Sequence, residues 1–162
     1  MTEMDRPRPR RFVSFFVEGL PISQGSKTLG QTKDGRAFMR EADAQRLRVW
    51  RRAVKTQAEQ HRVSWIRQSP IVVELKFILP ATKACPVGWA PVVPDIDKLT
   101  RGVLDALTQG KVLVDDAQVV MTLVAKLRGA NVGMWCYARD ALDWRHELRF
   151  MDDQFHNQED LQ

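Results

Sequence analysis

The chain has 162 residues, 44% hydrophobic and 28% charged, with a formal net charge of +5, which fits one soluble domain that buries a core without disulfides or a structural metal. No apolar run approaches the roughly 18 residues of a membrane span, and the opening MTEMDRPRPRR lacks the apolar segment of a secretory signal, so a cytoplasmic location is expected. Cys85 and Cys136 have no Cys or His partner at zinc-site spacing and read as two reduced thiols.

The charge is unevenly placed. Through Arg62 there are fourteen Lys or Arg against seven Asp or Glu, whereas from Asp140 onward seven acids face two basic residues. A positive field on the N-terminal part suits a phosphate-backbone partner, although many basic proteins bind no nucleic acid.

Residues 1–10 interleave Arg6, Arg8 and Arg10 with Pro7 and Pro9, a pattern that resists both helix and ladder formation. They read as a flexible basic arm, either touching DNA or simply solvated. RFVSFFV, residues 11–17, is rich in β-branched and aromatic residues and is closed by Gly19 and Pro21, which predicts a first strand buried on both faces. The Asp-Gly of Lys33-Asp34-Gly35-Arg36 signals a hairpin turn and predicts a short ribbon or ordered loop. Its Lys27, Lys33, Arg36 and Arg40 either line a DNA path or are solvated loop tips.

Residues 41–62 carry Leu47, Trp50, Val54 and Ala58 at helical spacing, an apolar stripe for the core. Arg48, Arg51, Arg52, Lys55 and Arg62 recur on another face. Like charges at this spacing repel by a few tenths of a kcal/mol per pair, so an anionic partner would relieve a cost. Then IVVELKFILP alternates Val73, Leu75, Phe77 and Leu79 with polar residues and predicts a half-buried strand ended by Pro80. Residues 80–94, with four prolines and Gly88, predict a long connection without regular structure. Within it Trp89 reads as an anchor packing the loop on the core, with stacking on a base as the alternative.

A second helix is expected from Asp95 or Ile96 to Gly110, burying Ile96, Leu99, Val103, Ala106 and Leu107. At 100° per residue, Asp97, Arg101 and Asp105 fall within about 80° of one another on the opposite side. Gly102 costs about 1 kcal/mol against Ala inside a helix, a sign of close packing. Val119 to Arg128 and Val132 to Tyr137 read as strands, and 139–150 stays ambiguous. The tail 151–162 is polar and acidic. The fold expected is α+β: one domain over 11–150, with a mixed sheet of about four strands packed by two main helices in β-α-β-α-β-β order.

The chemistry centres on PDIDKLTRGVLDALTQGKVLVDDAQVV, residues 94–120. Asp95 and Asp97 flank the helix start and Asp115 and Asp116 follow its end. Mg²⁺ wants oxygen ligands from a few carboxylates plus water and phosphate, and extended residues 95–97 would turn both aspartates to one side. DxD alone is weak, since helix caps and surface turns also use it. Glycosyltransferases need a nucleotide-binding framework that the chain lacks, and aspartyl phosphatases place DxD after a buried strand, a context broken here by Pro91 and Pro94. If the strand after Asp116 is straight, Lys126 lies about 33 Å away. It cannot share a metal with Asp116, and it and Arg128 read as flanking backbone contacts or an exposed strand end.

PDIDKLTRGVLDAL followed by VDDAQVV resembles the signature of the RusA family of Holliday junction resolvases, the crossover junction endodeoxyribonucleases, in which D-x-D-N-x-x-K precedes a helix and a later acidic pair precedes a strand. The likeness spreads more loosely over residues 11–128. It implies a homodimeric, Mg²⁺-dependent endonuclease, with Mn²⁺ as an alternative ion, that nicks branched DNA symmetrically and leaves 5′-phosphates. Carried over by position, Asp95, Asp97 and Asp116 would hold the metal, with Asp115 as an accessory carboxylate. Arg101 stands where the family has lysine and Lys98 where it has asparagine. Arginine stabilises charge but does not readily exchange a proton, so Lys98 is the candidate for supplying the ammonium. The DNA-facing candidates are Arg48, Arg51, Arg52, Lys55, Lys27 and Lys126. The competing reading is a non-catalytic DNA-binding protein that retains the fold.

Overall fold

The structure, a computed structural model, describes residues 11–25, 27–31, 37–41, 44–63 and 69–141. In chain order these form β1 (Phe12–Glu18), β2 (Lys27–Gln31), β3 (Ala37–Glu41), α1 (Ala44–His61), β4 (Ile71–Pro80), β5 (Gly88–Trp89), α2 (Ile96–Gln109), β6 (Val119–Gly129) and β7 (Gly133–Asp140). The architecture is α+β, and β1, α1, β4, α2, β6 and β7 follow the expected order. The main sheet has five strands, not four, because two residues of the proline-rich connection pair as β5. β2 and β3 form a separate antiparallel ribbon. The basic arm, the turn signal at 33–36, residues 142–150 and the tail 151–162 lie outside the described residues.

The sheet order is β1-β7-β4-β6-β5. β4 and β6 are parallel, which requires a crossover, and α2 supplies it. β7 enters between β1 and β4, antiparallel to both, so the last described strand is interior to the sheet.

The helices cover one face. On it Val73, Leu75, Phe77 and Leu79 of β4 are buried together with Leu47, Trp50, Val54 and Ala58 of α1 and Leu99, Val103, Ala106 and Leu107 of α2. Each large apolar side chain so buried contributes about 1.5–3 kcal/mol. β1 is not buried on both faces as its composition suggests. Val13, Phe15 and Val17 are buried while Phe12 is 58% exposed, because the helices cover only one face of the sheet and Phe12 lies on the other. On the far side Phe12 meets Tyr137 and Phe16 meets Trp135, with ring centroids 5.9 and 5.1 Å apart. Ile96, expected in the α2 stripe, is 40% exposed because it stands at the first turn, beyond the reach of the core.

Two glycines mark close approach. A Cβ on Gly110 would come within 2.6 Å of the Ala58 Cβ, so this residue lets the end of α2 touch α1 as well as capping it through Ala106 O. A Cβ on Gly133 would sit 2.3 Å from Val17 O and 2.4 Å from the Phe16 ring. At Gly102 the nearest atoms, on Gln24 and Leu47, are 3.6–3.8 Å away, ordinary contact distances. The packing there is close but has room for a methyl. Cys85 and Cys136 are both free, and burial pushes the Cys136 thiol up to about 12, which keeps it protonated and inert.

Gly133→Ala is therefore expected to destabilise the protein by about 1–3 kcal/mol through overpacking, whereas Gly102→Ala should be neutral or stabilise by up to about 1 kcal/mol. Urea unfolding midpoints of the two variants check the contrast.

Candidate active site

The connection from Pro80 to Asp95 is fastened more by polar contacts than by apolar packing. Gly88 and Trp89 pair with Arg128 and Leu127 of β6. Trp89 is not the expected anchor, being 73% exposed; the buried residue is Ala90. Strand alternation explains this, because pairing with β6 turns the indole outward and the small next residue inward. The Ala90 N–H donates to Lys126 O at 3.1 Å. The Lys126 ammonium donates to Val92 O and to Pro94 O, the latter at 2.7 Å.

Asp95, next in the chain, is the N-cap of α2 in extended backbone, but its side chain makes no capping bond. It meets the Lys98 ammonium at 2.6 Å instead. That hydrogen bond, the charge of Lys98 and, more weakly, the charge of Lys126 hold the Asp95 carboxyl below its ordinary 3.8. The same pairing raises Lys98 above 10.5.

One turn on, the stripe pressed into the core leaves Asp97, Arg101 and Asp105 on the outer side of α2. With Asp116, Thr122 and Val124 they line a recess of about 450 Å³. The carboxylates of Asp97 and Asp116 make no hydrogen bond or ion pair among the described residues. Asp95 and Lys98 line a neighbouring recess with Arg46 and Arg128 over a floor of Pro21, Ile22 and Leu79. Of the four aspartates, two thus share one recess and a third stands beside it. Among the described residues no group of three or more Asp, Glu, His or Cys is spaced to hold a metal ion.

Asp115 has a different occupation. It is the N-cap of a single 3-10 turn, Asp116–Gln118, and its Oδ1 accepts from the Ala117 N–H at 2.8 Å. Gln118 completes the box: its Oε1 accepts from the N–H groups of Val114 and Asp115, and its Nε2 donates to Ser69 O. Gln118 is buried, and it ties the turn that presents Asp116 to the start of β4. The S/T/D-x-x-E/Q capping pattern in DDAQ is the signal that identifies it.

The basic face of α1 divides. Arg48 and Arg52 are exposed, and Lys55 pairs with Glu59 at 3.5 Å. Arg51 turns toward α2 and lies 3.4 Å from Asp105. The Lys27 side chain is outside what the structure describes. Gln24 escaped the sequence reading: its N–H donates to Lys98 O, its Nε2 donates to Asp105 at 2.8 Å, and its stem lies over Gly102. Next to it Gly25, at φ +92, has the Arg101 guanidinium beside it. An isolated Gln in a loop carries no pattern, so only the fold reveals this contact.

Two outcomes follow. Asp115→Ala should cost about 1 kcal/mol of stability as a lost cap, while Asp116→Asn, at a side chain without a partner, should leave the melting temperature within a degree or two. Differential scanning calorimetry separates them. Lys98→Met should raise the Asp95 pKa toward 3.8 in a carboxyl NMR titration. The sign is fixed by the lowered folded pKa: the stabilisation is present above the unfolded value and lost as pH falls through the folded one.

No helix among the described residues is long and apolar enough to cross a membrane. No curated protein matches the chain. The family model described as Endodeoxyribonuclease RusA matches residues 18–134, from the end of β1 to the start of β7 and including both helices and both recesses. That is more than half of the chain, and the protein belongs to the RusA endodeoxyribonuclease family.

Proposed function

We propose that the protein is a Mg²⁺-dependent, structure-selective endodeoxyribonuclease that resolves Holliday junctions and other branched DNA in recombination and repair, acting as a homodimer by paired nicks. The observation that carries this reading is the shared recess of Asp97, Arg101 and Asp116 in a chain of this family. Two exposed carboxylates that make no hydrogen bond or ion pair among the described residues, lining one cavity with the Arg101 guanidinium, form a donor set suited to a hard divalent ion and an anionic substrate. Asp97 and Asp116 would hold it, with Asp95 alongside. The bound ion would lower the pKa of a water and neutralise the leaving oxygen.

The chain's own residues do the rest. The Lys98 hydrogen bond and charge and, more weakly, the charge of Lys126 hold the Asp95 carboxyl below its ordinary 3.8. Arg101 lies on the recess wall, where its guanidinium can meet the charge that builds on the phosphorane. Hydrolysis breaks the P–O3′ bond and leaves a 5′-phosphate and a 3′-hydroxyl. Arg101 cannot supply the proton that O3′ needs, and Lys98, held in its ion pair, is a weakened acid. The proton therefore comes from solvent. Arg48 and Arg52, exposed on α1, supply charge for the DNA backbone. A two-fold dimer would place one recess on each of two strands of a roughly two-fold junction.

The test is cleavage of a synthetic four-way junction with Mg²⁺, with linear duplex as control. The wild type should cut the junction and leave the duplex, and Asp97→Asn should lose at least about 100-fold in rate. Absence of metal-dependent cutting at every salt concentration would sink the enzyme reading and favour a DNA-binding protein. Cutting by the variant would sink the site. Sedimentation of the intact chain reads out the dimer.

A further inference from the structure

A lysine late in a strand ordinarily lays its stem on apolar surface and sends its ammonium to water. Lys126 does otherwise. Its ammonium donates to the carbonyls of Val92 and Pro94, and its own carbonyl accepts from the Ala90 N–H. One residue of β6 thereby grips three of the five residues that precede Asp95. Apolar packing adds little there, since Val92 is 40% and Val93 81% exposed and only Ala90 is buried. Asp95 is tied forward to the first turn of α2 through Lys98 and Leu99 but makes no side-chain capping bond, so the clamp at residues 90–94 is what fixes the chain on its other side.

We propose that Lys126 is a positioning residue for Asp95: it clamps residues 90–94 against β6 and so sets where the first aspartate of the DxD pair stands relative to the recess that holds Asp97 and Asp116. β6 makes this coupling direct. Thr122 and Val124 wall the recess, and Lys126, next on the same face of the strand, holds the loop. One rigid element therefore carries the wall of one recess and the anchor of the other. A shift of about 1 Å in a reacting group is enough to cost about 100-fold in rate, so a clamp of this kind acts on turnover. The inference rests on the metal-dependent nuclease reading for its consequence, but not for the clamp itself.

A phosphate-contacting lysine makes the opposite demands, and the experiment separates the two. Lys126→Met keeps the stem and removes charge and donors. Hydrogen exchange in the free protein should quicken by 10-fold or more at the amides of residues 88–96 and stay unchanged in β4 and β7. Calorimetric titration with MgCl₂ alone should show several-fold weaker binding. With junction DNA, kcat should fall at least 10-fold while KM and the salt dependence of binding stay unchanged. Should Lys126→Met fail to fold by circular dichroism, Lys126→Arg carries the same measurements. It keeps the charge but alters the reach, so kcat falls and the salt slope holds. Unchanged exchange in 88–96 overturns the proposal. So does a loss that lies in KM with a salt slope reduced by about one, the mark of a phosphate contact. If the wild type cuts no junction the nuclease reading fails, and hydrogen exchange still decides the clamp.

Discussion

Burial of Leu99, Val103, Ala106 and Leu107, all at 0% exposure, fixes the rotation of α2 about its axis. Everything charged on that helix takes its place from this constraint. With the stripe against α1 and the sheet, 100° per residue puts Asp97 and Arg101 on the wall of the recess that Asp116 shares, and brings Asp105 at its margin to Arg51 and Gln24. Gly110 permits the close approach of α2 to α1, and the Pro21–Gly25 loop closes the near side through Gln24. The recess is thus a by-product of core packing. Its polar side chains sit where they do because apolar ones hold the helix still.

This explains which parts were legible in the sequence. Both apolar stripes read correctly at their periodicity, since burial selects residue types at every third or fourth position, and Val73 to Leu79 read correctly by alternation. Three readings went astray for one reason: they needed knowledge of what lies on the far side of an element. β1 has the composition of a strand covered on both faces, but only the packing of the helices reveals that one face is left uncovered. Trp89 looked like an anchor by size, yet pairing with β6 decides its direction. Ile96 falls on the stripe by angle but lies past the end of the core.

The site divided along the same line. The proximity of Asp97 and Arg101 follows from helix geometry, so spacing revealed it. The shared recess of Asp97 and Asp116, residues in separate elements, was suggested by the two acidic pairs that bracket α2 and by the family resemblance. The part of Asp115 as a turn cap was encoded in DDAQ, but the attraction of a second acidic pair drew attention to metal chemistry instead. Gln24 had no readable signal, and Lys126 reads from sequence as a DNA-facing lysine and not as the anchor of a loop. Their partners are a helix carboxylate and loop carbonyls remote in sequence, and hydrogen bonds of that kind leave no periodicity.

The two departures from the family pattern, Lys98 and Arg101, are better understood as a pair. A lysine at position 101 would combine charge with the capacity to exchange a proton; arginine keeps only the first. Lys98 pairs with Asp95 at 2.6 Å and the pairing raises its pKa, so on the proposed reading it would supply charge and not a proton. What Lys98 adds is a counter-charge that keeps Asp95 ionised over a wider range of pH. On the proposed reading the two residues would give the site charge rather than proton exchange: Arg101 lines the recess of Asp97 and Asp116, and Lys98 is paired with Asp95. Electrostatic stabilisation of phosphoryl transfer draws on positioned charge and not on proton exchange, so the proposed chemistry does not require a lysine at position 101.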